Sequence, residues 1–481
     1  MNIKISRAYL PMSINKERLA EVFLKAKKQR APVIAVVTAT KPDFYKQAPL
    51  VVEAAREGLP VLIINTGQHF DEVLGFGIKE FGLERYICAN LQVRGDLLEK
   101  ASELMIKLGA FGRYCAKSYP NGGDILPIVH GDTLVAGIGS LAWVFGVGRK
   151  VGQNEAGLRS MAPEAMKKIK VDSRPSREQV SDFINEQLYG KWFRAREEPF
   201  PEQIDTWVGS AGTKYFFAPT KLNRDNLINE GYPEEDIFVV GNSVVDAIKL
   251  KRKEKSSSSV FDIYPKLESE EWMRVDIHRR ENLTQRRFHS VIGTIEHLVE
   301  ETDHKVVLVM LTATNAAVKN YGLENRLKLL EAKHPDKFMM TPVWKEYAHV
   351  IEFLDSGHCW AELTDSGSMQ EELLYFPKVL SLTVRLNTDR PETVFESKSN
   401  ILVPPISKEW MMPIIDEAYK QGSALGLKLR KKKQIYGKPG EVSKKIVRIL
   451  AQKFETGNFD FYPWLHGRLN LWKEEHKLNY L

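Results

Sequence analysis

The sequence predicts an α/β protein made of two doubly wound units, and three observations carry that prediction. Short apolar runs recur along the chain, each ending in small or polar residues; helix-like patterns separate them; and 481 residues exceed what one hydrophobic core normally organises. With 43% hydrophobic residues there is enough apolar material for at least two packed lobes.

The runs PVIAVVTAT (32–40), PVLIINTGQ (60–68), DILPIVHGD (124–132) and RKVGQNEAG (149–157) read as buried strands of the first half. WMRVDIH (272–278), KVVLVML (305–311), CWAELTDS (359–366) and KVLSLTV (378–384) supply the second half. Continuous rather than alternating apolar character is what a parallel strand needs when helices cover both sheet faces. The charged, then serine-rich stretch KRKEKSSSSV (251–260) separates the two series and is the expected hinge region. The expected division is an N-terminal extension (1–31), a first lobe (32–250), a second lobe (251–425) and an aromatic-rich tail (426–481). Open α/β sheets bind ligands at the carboxyl ends of their strands, so the polar residues closing each run are the candidate site.

Composition removes several classes. No run of about 18 uncharged apolar residues occurs, and the start MNIKISRAYLPMS lacks a secretory pattern, so a cytoplasmic protein without membrane spans is expected. Three cysteines without C-x-x-C spacing support neither a disulfide framework nor a thiolate metal site. The net charge of +7 sits in local runs such as KLKRKEK (249–255) and KLRKKK (428–433), which read as solvated faces; no nucleic-acid partner is expected. Gly137, Gly139 and Ala142 fit a G-x-G-x-x-A spacing, but they begin several residues after their strand and read as helix packing, so no nicotinamide cofactor is indicated.

Singly, the strand-end motifs are weak. HGDT (130–133) equally describes a helix cap, EAGLRS (155–160) an exposed loop, HRREN (278–282) a helix start, DRPET (389–393) a first helical turn and TGQH (66–69) a simple turn. Together and in this order, with ATKPDFYKQAPL (39–50), FAPT (217–220), GNSVVDA (241–247) and TDSGSMQEE (364–372), they resemble the UDP-N-acetylglucosamine 2-epimerase family from residue 32 to about 405. The resemblance implies Rossmann-like lobes facing a cleft, a GT-B-like arrangement, and a homodimer. Departures are Lys41 where the family has arginine, Asp43 where it has glutamate, and LTATNAAV (311–318) in place of a histidine-bearing loop linked to an effector site. PEQIDT (201–206) fits the family's P-E-E segment better than PEAMKK (163–168), leaving an insertion at about 165–199 in the first lobe.

The implied reaction inverts C2 of a nucleotide-linked N-acetyl sugar. That C–H is not acidic, so the route is loss of the nucleotide from C1 with the C2 proton, then re-addition from the other face. It needs carboxyl groups and a diphosphate cradle, but no cofactor and no metal. The resemblance assigns catalysis to Asp132, Glu155 and Glu202, with His278 helping the leaving group. It assigns substrate binding to Lys41, Lys46, Gln68, His69, Arg159, Arg279, Ser366, Gly367, Ser368, Glu372 and Arg390, with Glu372 on the ribose. A hydrolysing relative releasing N-acetylmannosamine and UDP, and a GT-B-type glycosyltransferase using a UDP-sugar, are the alternatives.

Overall fold

Each apolar run becomes a strand. The computed structural model describes residues 12–67, 78, 81–119, 125–169, 174–196, 198–253, 258–269, 271–344 and 346–455. In chain order the strands are β1 (Ser13–Ile14), β2 (Val33–Thr38), β3 (Val61–Asn65), β4 (Ile87–Asn90), β5 (Ile125–His130) and β6 (Val151–Asn154). A short antiparallel pair, β7 (Met161–Pro163) and β8 (Trp192–Arg194), precedes β9 (Thr213–Ala218) and β10 (Ile237–Val239). The second half holds β11 (Trp272–Asp276), β12 (Lys305–Met310), β13 (Phe338–Pro342), β14 (Cys359–Thr364), β15 (Leu380–Thr383) and β16 (Asn400–Leu402).

Two compact units result. The first comprises described residues of 12–158, 204–247 and 440–455; the second comprises 159–203 and 248–439. The first unit's sheet runs β1-β4-β3-β2-β5-β6-β9-β10, parallel except for β1 against β4. The second runs β13-β12-β11-β14-β15-β16, parallel throughout. Both contain the strand order of a Rossmann fold, reversing direction between β2 and β5 and between β11 and β14. β2, β3 and β5 are buried along their whole length, as helices on both faces require.

The glycines of the decoy motif do serve helix packing. A side chain on Gly137 would place its Cβ 2.4 Å from Asp205 Oδ1, so only hydrogen lets this turn lie against the helix Glu202–Ala211.

The insertion corrects an expectation. Residues 165–199 were assigned to the first lobe, yet residues 159–203 belong to the second unit. The reason is the helix Arg177–Tyr189, whose Val180, Phe183, Ile184 and Leu188 join the second unit's core beside Trp410. Gln187, fully buried, donates to Leu402 O at 3.1 Å and accepts from Leu402 N at 2.8 Å. Its amide thereby serves both backbone groups that edge strand β16 turns away from the sheet.

The chain leaves the first unit within the helix Val244–Lys253, and residues 254–257 of the expected hinge lie outside the described residues. The helix Val442–Glu455 belongs to the first unit, where Asp246 accepts the N–H of Gly440 and, at 2.7 Å, that of Ser443. The aromatic tail beyond residue 455 lies outside the described residues.

Candidate active site

In the first unit the site grows from three strand ends. After β2, Thr40 caps the helix Lys41–Arg56 and Asp43 completes a capping box, its Oδ2 accepting from Thr40 N. That bond turns the other oxygen, Oδ1, toward His130 Nδ1 at 2.9 Å. One helical turn on, Lys46 Nζ meets Glu155 Oε1 at 2.5 Å, both side chains essentially inaccessible to water.

Strands β5 and β6 pair in register at His130 and Asn154, which brings the turn bearing Asp132 beside the residue after Asn154, Glu155. Glu155 takes a left-handed backbone (φ 57°), uncommon for a side chain of this size. Asn154 holds it there: its Oδ1 accepts from Glu155 N, and its Nδ2 donates to Ser243 Oγ at 2.9 Å. Gly131, also left-handed, leaves room for the carboxylate, since a Cβ there would lie 3.3 Å from Glu155 Oε2. His130 Nε2 lies 3.4 Å from that same oxygen. Burial disfavours a charged imidazole, but Glu155 and Asp43 outweigh it and raise His130 to about 9.

In the second unit the site straddles β11 and β14, in register at Asp276 and Thr364. His278 follows the first strand and Ser366–Gly367 the second. Asp365, fully buried, accepts from the backbone N–H of His278 at 3.0 Å, that of Arg279 at 2.9 Å and Asn282 Nδ2 at 3.0 Å. His278 Nδ1 contacts Asp276 at 3.0 Å. Burial opposes its charge, yet Asp365 and Asp276 raise its pKa above the ordinary value. Ser366 caps the short helix Gly367–Glu372, whose first N–H groups have no acceptor within the helix. A Cβ on Gly367 would stand 3.4 Å from Asp389 Oδ2, 3.5 Å from Arg279 Nη2 and 3.6 Å from Arg390 Cζ, so two guanidinium groups and one carboxylate flank this turn. Arg390 is held by Glu371 at 2.7 Å and Asp389 at 2.6 Å, both fully buried. Glu372 accepts from Ser368 Oγ at 2.6 Å and Tyr347 Oη at 2.9 Å. The arrangement offers cations and backbone donors to an anion.

The structure thus gathers Asp132 and Glu155 in one unit, and His278, Arg279, Ser366, Gly367, Ser368, Glu372 and Arg390 in the other. Glu202 starts its helix among second-unit residues and pairs with Arg279. Arg159 is buried, 1% exposed, in the second unit. Lys46, expected to bind substrate, has its ammonium 2.5 Å from Glu155 Oε1 in the first unit. The side chain of Lys41, and Gln68 and His69 entirely, lie outside the described residues. Sequence reasoning passed over His130, Asp365 and Glu371, although each sits inside a motif it quoted. Only their distant partners reveal what they do.

A Rossmann-like pair of units, one carrying a carboxylate cluster and the other an anion-directed turn at a switch point, defines a nucleotide-handling α/β enzyme. A family model described as UDP-N-acetylglucosamine 2-epimerase matches residues 194–451, more than half of the 481. The chain belongs to that family. Among curated relatives, the UDP-N-acetylglucosamine 2-epimerase of Methanocaldococcus jannaschii is 26% identical over 433 residues, covering 87% of this chain and 98% of its own. That of Bacillus subtilis is 28% identical over 374 residues, covering 75% and 80%. The crystal structure of the M. jannaschii enzyme with UDP-GlcNAc and UDP superposes with a TM-score of 0.66 at 25% identity, covering 87% of this chain and 99% of that one. A Staphylococcus aureus protein solved with UDP superposes at 0.67 and 23% identity, covering 90% and 99%, and shares the fold.

Proposed function

We propose that the protein is a non-hydrolysing epimerase that interconverts UDP-N-acetylglucosamine and UDP-N-acetylmannosamine. The second unit's task is the UDP: N–H groups at Gly367–Ser368 with Arg279 and Arg390 take the diphosphate, and Glu372 the ribose hydroxyls. The first unit's task is the sugar. A carboxylate takes the C2 proton, the electron pair forms C1=C2, and the C1–O bond breaks with its pair passing to UDP. Return of a proton to the opposite face of C2 while UDP re-adds at C1 gives the epimer. His278, its proton affinity raised by its aspartates, stabilises the charge growing on the leaving diphosphate. No oxidant or reductant enters the balance.

The observation that carries this reading is Glu155, a fully buried carboxylate in a left-handed backbone beside the Asp132 turn. Epimerisation requires a proton-transfer group at C2, whereas sugar transfer needs no proton exchange there. We further propose a cytoplasmic homodimer; no described helix is long and apolar enough to cross a membrane. Incubation with UDP-N-acetylglucosamine in heavy water tests the function. Deuterium at C2 of intact nucleotide sugar supports it; free N-acetylmannosamine with UDP indicates hydrolysis; transfer without C2 exchange refutes it. Asp132→Asn is expected to abolish epimerisation while leaving UDP affinity within about threefold.

A further inference from the structure

Four charged groups of the first unit form an alternating buried chain: Asp43, His130, Glu155 and Lys46. Asp43 contacts His130 Nδ1 at 2.9 Å, His130 Nε2 faces Glu155 Oε2 at 3.4 Å, and Lys46 holds Glu155 Oε1 at 2.5 Å. All four side chains are at most 3% exposed. With the imidazole protonated the chain sums to zero, and each carboxylate has a cation beside it. With the imidazole neutral, two buried carboxylates share a single ammonium, the costlier arrangement. The Nε2 of His130 has no hydrogen-bond partner among the described residues, because its line to Glu155 is close but poorly aligned.

We propose that His130, oriented by Asp43, is a positioning residue that works with Lys46 to keep Glu155 ionised, which makes Glu155 the carboxylate that abstracts the C2 proton and leaves proton return to Asp132. This rests on the epimerase reading and deepens it. Among the described residues, the charged groups facing the imidazole are Asp43 from the helix after β2 and Glu155 from the end of β6; Lys46 acts through Glu155, and Asp132 stands two residues along the same turn. The raised proton affinity of His130 agrees with an imidazolium across the working pH range. The left-handed backbone of Glu155 also fits: a strained residue persists where its surroundings dictate its direction.

The test is the pH profile of C2 deuterium exchange into UDP-N-acetylglucosamine from about pH 5 to 9, with UDP affinity measured alongside. His130→Asn keeps a donor toward Asp43 but removes the charge beside Glu155. The acidic limb is expected to move upward by about one to three units, with exchange partly recovering at alkaline pH and UDP affinity unchanged. A uniform fall at all pH values with the limb unmoved marks a merely structural role and overturns the proposal. Should circular dichroism show His130→Asn unfolded, Asp43→Asn is read in the same way, with a smaller upward move expected and an unmoved limb again overturning it. A wild-type chain that leaves C2 unexchanged overturns this proposal and the epimerase reading together. Wild-type exchange with unmoved limbs in the variants overturns this proposal alone.

Discussion

Asp365→Asn is an isosteric change whose cost follows from the donors around it. Three N–H groups converge on the wild-type carboxylate, from His278, Arg279 and Asn282, at 3.0, 2.9 and 3.0 Å. An amide oxygen offers two lone pairs, so at least one donor is left facing an NH2 group. Losing one charge-assisted bond in a buried site costs about 1.5–3 kcal/mol, and neutralising the acceptor weakens the other two by some tenths each. The sum is about 3 kcal/mol, read as a lowered denaturant midpoint in equilibrium urea unfolding of the full chain. The effect also has a pH signature. Asp365 raises the pKa of His278 in the fold, so this contribution is fully present below the unfolded histidine value of 6.5 and fades as pH rises through the folded value. The stability gap between wild type and variant is therefore wider at pH 6 than at pH 9. UDP affinity falls at least about tenfold, because the turn carrying His278 and Arg279 loses its anchor. A variant within about 0.5 kcal/mol of wild type, with a gap that does not vary with pH, refutes the reasoning.

Two further outcomes follow from the same geometry. Glu371→Gln weakens the buried contact to Arg390 Nε, so KM for the nucleotide sugar is expected to rise about tenfold or more while the acidic limb of the pH profile stays put; steady-state kinetics across pH checks both. Gln187→Leu leaves the N–H and C=O of Leu402 without partners and is expected to cost about 2 kcal/mol in urea unfolding while leaving C2 exchange at the wild-type rate in the folded protein.

Much of the fold was legible because parallel strands covered on both faces must be continuously apolar, and all eight runs named from the sequence contain a strand. Among the missed strands, β4 (ICAN), β10 (IFV) and β16 (NIL) have three or four residues and carry too little pattern to separate from a loop, while β9 (TKYFFA) and β13 (FMMTP) are longer but interrupt their apolar run with Lys, Thr or Pro. The allegiance of the insertion was illegible for another reason. Its helix has an ordinary amphipathic pattern, and the groups that claim it, Leu402 and Trp410, lie more than two hundred positions along the chain. The site divides similarly. Polar residues after apolar runs marked Asp132, Glu155, His278 and Ser366, since that is where such sheets bind ligands. The ion pair of Lys46 was illegible because its partner Glu155 lies 109 positions away. His130 gave no separate signal, its meaning residing in Asp43, 87 positions earlier.

The helix Val442–Glu455 has a consequence for how the molecule comes into being. Asp246 is served by the N–H groups of residues 440 and 443, so the first unit is closed by a segment that follows every segment of the second unit along the chain. The segments of the second unit have all been synthesised by residue 439. Chains arrested shortly before residue 440 would present all segments of the second unit beside a first unit still missing its closing helix, and it is that unfinished unit that chaperones and proteases would find open.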